Sequence, residues 1–195
     1  TAIFSVVDAV LLAESPFPDP DRRVMVWETD RASDTHHEPA SWPDVVDFRE
    51  RSRTLAVLGT VMGQDLTLTG EGEPERLTGL AVTPEVLEAL GVRPVMGRFF
   101  ARGEGRDANA PLVVLAEEYW RTRFGADPGV VGRTLVLNGL PAQVVGVAPA
   151  AADLGVAQVH ERADYSATYG GGDVDVWVAF EPTAEQYPRQ THPFL

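Results

Sequence analysis

Residues 65–86, DLTLTGEGEPERLTGLAVTPEV, decide the fold. Asp65-Leu-Thr-Leu-Thr69 alternates polar and apolar side chains, the period of a half-buried strand. The first strand is read from Leu55 to Thr69 and a second over Glu75–Thr83. Gly70-Glu-Gly-Glu-Pro74 between them predicts a hairpin. Thr83-Pro84-Glu85 then starts a helix, with Thr83 placed as a cap and Pro84 at the first position. Val86, Leu87 and Leu90 give that helix its inner face, and Gly91 ends it.

Upstream, Ser41 caps a helix beginning near Trp42-Pro43. Val45, Phe48, Ser52 and Leu55 recur at three- and four-residue spacing, and Val46 widens the stripe. Arg49, Glu50, Arg51 and Arg53 take the other faces, so the helix is amphipathic. Arg23–Thr29 (RVMVWET) reads as a short buried strand, and Asp30–Ala40 as a polar loop. From Arg23 to Gly91 the order is β-α-β-β-α. It predicts an α+β sandwich with helices on one face of a mainly antiparallel sheet.

Downstream, Gly97–Arg106 is glycine-rich and reads as a crossing between subdomains. Pro111–Leu115 is a compact apolar strand. Ala116, Tyr119, Trp120 and Phe124 keep helical spacing until Gly125 and Pro128. Arg133–Leu137 and Ala142–Val147 flank Asn138-Gly139, the strongest hairpin signal in the chain. A long connection, Ala150–Gly172, precedes a last alternating strand at Asp173–Val178. Connections of that length are usually functional or flexible. The second half is therefore mostly β.

Composition narrows the function. The 195 residues carry 16 basic and 29 acidic side chains, a net charge of −13. A chain this acidic lacks the basic face that phosphate contact requires, so nucleic acid is excluded as a partner. Cysteine is absent, which removes disulfides, thiolate metal sites and cysteine nucleophiles. Thr1–Leu12 is apolar except for Ser5 and Asp8, yet twelve residues fall short of the roughly 20 that span a membrane. Two readings stand for it: a buried N-terminal element, or the last turns of a transmembrane helix. Glu14–Asp21, with three prolines, stops any helix there.

The residues offer little chemistry. His36-His37-Glu38 is the one cluster suited to a metal, but adjacent histidines are not the i, i+4 pair that faces one cation. His160-Glu161 has no second histidine four residues on. Glu117-Glu118 sits where a helix dipole favours acids. Gly103-Glu-Gly-Arg106 does not complete a phosphate cradle, and without lysine there is no Walker motif. No Gly-x-Ser-x-Gly elbow occurs. Trp27, Trp42, Trp120 and Trp177 are assigned to core packing. No catalytic, cofactor or metal residue is nominated.

Taken in order, several phrases resemble the MacB-like periplasmic core domain of FtsX/MacB-type ABC transporter permeases, within the acidobacterial-type subset. They are Thr1–Leu12 with Pro16–Pro20, Arg22–Glu28, Ser41–Arg49, Leu66–Arg76, Leu90–Arg98, Val113–Leu115, Trp120–Gly125, Val131–Gly139 and Val144–Val147. The match departs at Ala13-Glu14-Ser15 and in Ala150–Gly172. The resemblance implies that residues 1–14 are the tail of a first transmembrane helix. It implies a porter-like α+β subdomain over 15–100, interrupted by a mostly β, sabre-like subdomain over 101–182. Residues 183–195 would then return, truncated, toward the porter. It further implies an extracytoplasmic, periplasmic domain of an inner-membrane permease. Such a domain passes ATP-driven movement of the transmembrane helices to export or to a partner, without catalysis or cofactor. The implied partners are a cytoplasmic ATPase, a second permease copy and a periplasmic adaptor. Two other readings stay open. One is a free-standing periplasmic or secreted ligand-binding domain, with Ala150–Gly172 covering a pocket beside Trp177 or Tyr169. The other is a metal hydrolase using His36, His37 and Asp34.

Overall fold

A computed structural model describes residues 22–30, 34–70, 72–152 and 173–188. The expectations for Thr1–Leu12, His160-Glu161, Tyr169, nearly all of the Ala150–Gly172 connection and the last seven residues lie outside these, as do the side chains of His36 and His37.

The elements run β1 (Glu28–Asp30), β2 (Thr35–Glu38), α1 (Trp42–Arg51), β3 (Val61–Thr69), β4 (Glu75–Val82), α2 (Glu85–Ala89) and β5 (Met96–Gly97). Then come β6 (Leu112–Ala116), α3 (Glu117–Phe124), β7 (Thr134–Leu137), β8 (Leu140–Ala148) and β9 (Val176–Ala179). The hairpin at residues 65–86 forms as expected, with Val61 opposite Val82 and Leu68 opposite Glu75. Ser41 caps α1 by accepting from the Asp44 amide, and Pro43 lies in the first turn. Asn138 and Gly139 both take positive φ, 49° and 80°, as a two-residue hairpin turn between β7 and β8 requires.

Four local expectations are corrected. Arg23–Trp27 is not a strand, and Val24 is 69% exposed; an apolar run alone does not supply a pairing partner. The expected loop Asp30–Ala40 contains β2, which folds back on β1. Phe48 is exposed although it lies on the apolar stripe of α1. Thr83 does not cap α2; its hydroxyl accepts from the Thr60 amide at 3.0 Å, bracing the start of β3 instead.

The α+β class holds, and the sheet goes further than expected. Its strand order is β5-β8-β6-β9-β4-β3-β7, with β7 also paired to β8. That pairing joins β7, at one end of the row, to β8, next to the other end, so β8, β6, β9, β4, β3 and β7 form a closed barrel. Two pairings are parallel, β4 with β9 and β6 with β8. Strands from both sides of residue 100 share the barrel.

Alternation sorts side chains inward and outward. Leu66, Leu68, Leu77, Val113, Leu115, Leu135, Leu137, Val176 and Val178 fill the interior. Leu80, Val82, Val114 and Trp177 face outward, under α2. On β8 the interior residues are Ala142, Val144 and Val147, a change of parity. The register against β6 slips by one residue there, so a bulge at Val145 restores the inward set. The helices are not on one face: α2 covers the outside, and Tyr119 and Trp120 of α3 join the interior. A closed sheet has two surfaces to seal, and α2 and α3 each seal one.

Candidate functional site

The barrel has a closed end and an open end. At the closed end α3 follows β6 without a break. Glu117 accepts from Arg121 one turn on at 2.6 Å, and Gly125 ends the helix in the left-handed conformation. The Trp120 indole donates to the Asp127 carbonyl at 2.8 Å. Arg123 donates to Glu75, the first residue of β4, at 2.9 Å. Burial raises the Tyr119 phenol well above the usual range, and the neighbouring Glu75 carboxylate adds to it. Burial also raises the Asp175 carboxyl, although the Thr78 amide donates to it at 2.8 Å and favours the charged form. The Ala116 amide meets the Asp175 carbonyl at 2.9 Å, so β6, α3 and the approach to β9 are tied together.

At the open end a cleft of about 210 Å³ enters the barrel. Leu66, Val113 and Val178 form its floor, and Asn138, Arg106 and Tyr187 stand in its wall. Asn138 is the stitch that closes the barrel here. Its side chain accepts from the Thr67 amide at 2.8 Å and donates to the Asp65 carbonyl at 3.2 Å. The opposite wall is the segment after β5. Arg98 meets Glu104 with two parallel bonds of 2.8 Å, which hold that carboxyl below its ordinary range. Gly105 lies so close to the end of β9 that an added Cβ would stand 2.5 Å from the Phe180 amide nitrogen. Its carbonyl accepts from the Glu181 amide, and Arg106 donates to the Glu181 carboxylate at 2.7 Å. The glycine-rich crossing is thus a braced loop.

The chain flanking the barrel is also anchored. Arg23 donates to the carbonyls of Ala89 and Leu90, at 2.8 and 2.9 Å. A guanidinium satisfies the open carbonyls at the end of a helix, here α2. Beyond β9, Phe180 and Tyr187 stack edge to face at 5.5 Å and pack with Trp42, Val45 and Met62. Arg49 of α1 lies 5.5 Å from the Trp42 ring and donates to the Leu58 carbonyl.

The residues weighed for chemistry are not gathered by this arrangement. Asp34 is exposed on the turn between β1 and β2, and Glu38 faces Glu28 across that pair. No group of three metal-ligating side chains forms among the described residues. Glu117 is engaged by Arg121, and Glu118 is exposed. Trp177 is 2% exposed and packed beneath α2, so it lines no cleft among those described. Sequence reading missed Arg23, the Arg98–Glu104 pair and the second role of Asn138. An Asn-Gly turn announces a hairpin, whereas its amide's partners on β3 lie about seventy residues away.

The sequence matches the MacB-like periplasmic core domain family over residues 1–191. No curated protein sequence matches it. Among solved structures, a domain described as that of a permease protein from Porphyromonas gingivalis is 16% identical with a TM-score of 0.52; the match covers 80% of this chain and 61% of that one. At that identity the likeness is one of fold. The periplasmic region of MacB from Actinobacillus actinomycetemcomitans is 15% identical, over 85% of this chain and 81% of that one, with a TM-score of 0.49. The extracellular domain of the noncanonic ABC-type transporter YknZ from Gram-positive bacteria is 14% identical over 80% and 70%, also with a TM-score of 0.49. No helix among the described residues is long and apolar enough to cross a membrane.

Proposed function

We propose, from the premise that this chain belongs to the MacB-like periplasmic core domain family and is the periplasmic domain of an ABC transporter permease, that it works as a mechanical relay. Movement of the transmembrane helices, driven by a cytoplasmic ATPase, enters through the chain around residues 22–23. It leaves through the barrel toward exported substrate or a periplasmic adaptor. The permease acts in the inner membrane as a pair of copies, and this domain performs no catalysis and holds no cofactor. In this reading residues 15–100 are the porter-like part, and residues 101–182 are the sabre-like part.

The observation that carries the reading is the Arg23 tether. Two hydrogen bonds join the incoming chain to the end of α2. Leu87 of α2 and Leu90, just past its end, are buried against the outer face of the barrel. A displacement of Arg23 is therefore delivered to a closed sheet, whose packed core moves as a body rather than deforming.

The test uses the whole permease assembled with its ATPase. These 195 residues contain no cysteine, so a single spin label at Arg133, an exposed position immediately before β7, reports the distance between the two copies. ATP is expected to shift that distance. Arg23→Ala is expected to diminish the shift while ATP hydrolysis continues. Identical distances with and without ATP would overturn the relay, and so would ATP hydrolysis by this domain alone.

A further inference from the structure

We propose that the cleft at the open end of the barrel is a binding site for a small organic ammonium ion with an apolar body. The floor is apolar, made by Leu66, Val113 and Val178. Two lining residues hold buried oxygens that meet no donor among the described residues: the Gln64 amide oxygen and one oxygen of the Glu181 carboxylate. Both atoms are acceptors, and both are covered as they stand. A buried acceptor without a donor costs on the order of 1–3 kcal/mol, so turning either side chain into the cleft, toward an occupant that brings N–H groups, removes a cost.

Charge selects the kind of donor. Around the cleft Arg106 supplies one positive charge, and Asp107 and Glu181 supply two negative ones. Arg106 spends its bond on the other Glu181 oxygen, at 2.7 Å. The Asp107 carboxylate accepts from the Asn109 amide at 2.9 Å. The balance is negative, and the Tyr187 ring stands in the same wall. A carboxylate, an amide oxygen and a neighbouring aromatic ring together suit an ammonium group.

Size limits the body it carries. About 210 Å³ is below the roughly 300–1,000 Å³ of pockets for drug-sized ligands. One ring or a short aliphatic chain fits over the floor. The open mouth of a closed barrel is also a general place for a small ligand. This site is independent of the relay, since it uses neither Arg23 nor α2.

Calorimetric titration of the 195-residue chain with 2-phenylethylamine, and separately with phenylacetate, tests the proposal. The amine is expected to bind saturably at one site, and phenylacetate not to bind. Glu181→Gln, at a partly exposed position, is expected to weaken the amine about tenfold or more. Gln64→Leu removes the other acceptor with a side chain of similar size, and a similar loss is expected. Absence of saturable heat up to about 10 mM amine, equal binding of phenylacetate, or unchanged amine affinity in both variants would each overturn it. The last outcome would mark attraction to the acidic surface alone.

Discussion

The two ends of the barrel solve the same problem in opposite ways. Closing a sheet leaves two mouths, and each mouth exposes the apolar interior. At one, the helix that continues β6 folds over and inserts Tyr119 and Trp120 into the core. At the other, loops from distant parts of the chain converge and leave a cleft. The closed end is sealed by a neighbour in sequence, whose docking costs little loop entropy. The open end is built by Asn138 reaching β3 and Gly105 reaching the end of β9, contacts that are remote in sequence. A sealed end gives the barrel its rigidity, and an open end leaves a cleft lined by polar side chains.

Removing the seal should have the largest effect. Trp120→Ala empties a large buried side chain and breaks its bond to the Asp127 carbonyl. The loss is expected to be about 3–5 kcal/mol, a drop of roughly 8–15 °C in Tm by thermal unfolding. A loss below about 1 kcal/mol would mean that α3 is not the plug. Next comes the barrel wall. Gly79 lies on the interior side of β4, where an added Cβ would stand 2.7 Å from a Leu66 methyl carbon and 2.8 Å from the Gln64 carbonyl. The carbonyl belongs to the paired strand β3 and cannot swing away. Gly79→Ala is expected to cost about 1–3 kcal/mol, read as a lower urea midpoint. A neutral result would show that β3 and β4 separate more easily than a closed barrel allows.

Much of this was legible in the sequence, and the division follows range. The hairpin over residues 65–86, the capped helix after Ser41 and the Asn138-Gly139 turn are set by neighbours within a few residues, and all three are present. Closure was not legible. It depends on Leu68 meeting Leu137, and no local period reports a pairing that remote. The bulge at Val145 was hidden for the same reason, since Ala142–Val147 reads as one apolar run until β6 fixes its register. Arg23 lay inside a run that looked like a strand, and its partners belong to a helix end more than sixty residues away. The open end was the least legible part. Gln64 and Glu181 are ordinary polar residues in sequence, and only the closed barrel brings them to one cleft.

The closed end should also carry a pH signature opposite in sign to that of the open end, where Arg98 holds the Glu104 carboxyl below its ordinary range. Burial raises the Asp175 carboxyl, so the folded chain holds its proton to higher pH than the unfolded chain does. Across that window, from about pH 4 upward, the folded state binds more protons, and stability falls as pH rises. Asp175→Asn keeps an oxygen for the Thr78 amide and removes the titration. The variant is expected to lose this part of the decline, gaining relative to the parent as pH rises toward neutrality. The slope of Tm against pH for the two proteins measures it. Parallel slopes would show that Asp175 is as well solvated as in the unfolded chain.

The smallest effect should lie at the open end, and one hairpin supplies both sides of the comparison. Leu135 on β7 is 1% exposed and packs with the plug, whereas Leu140, just past the turn, is 38% exposed beside the cleft. Both are leucines, a few residues apart on paired strands, so propensity and chain entropy nearly cancel between them. Leu135→Ala leaves a void that its surroundings cannot fill and is expected to cost about 2–5 kcal/mol. Leu140→Ala exchanges a half-solvated side chain for water and is expected to cost no more than about 0.5 kcal/mol, a Tm change under about 2 °C. Equal losses would mean that the interior continues through the cleft and that the open end is sealed like the other. A large gap between the two leucines means the open end contributes little to stability, and its residues are available for binding.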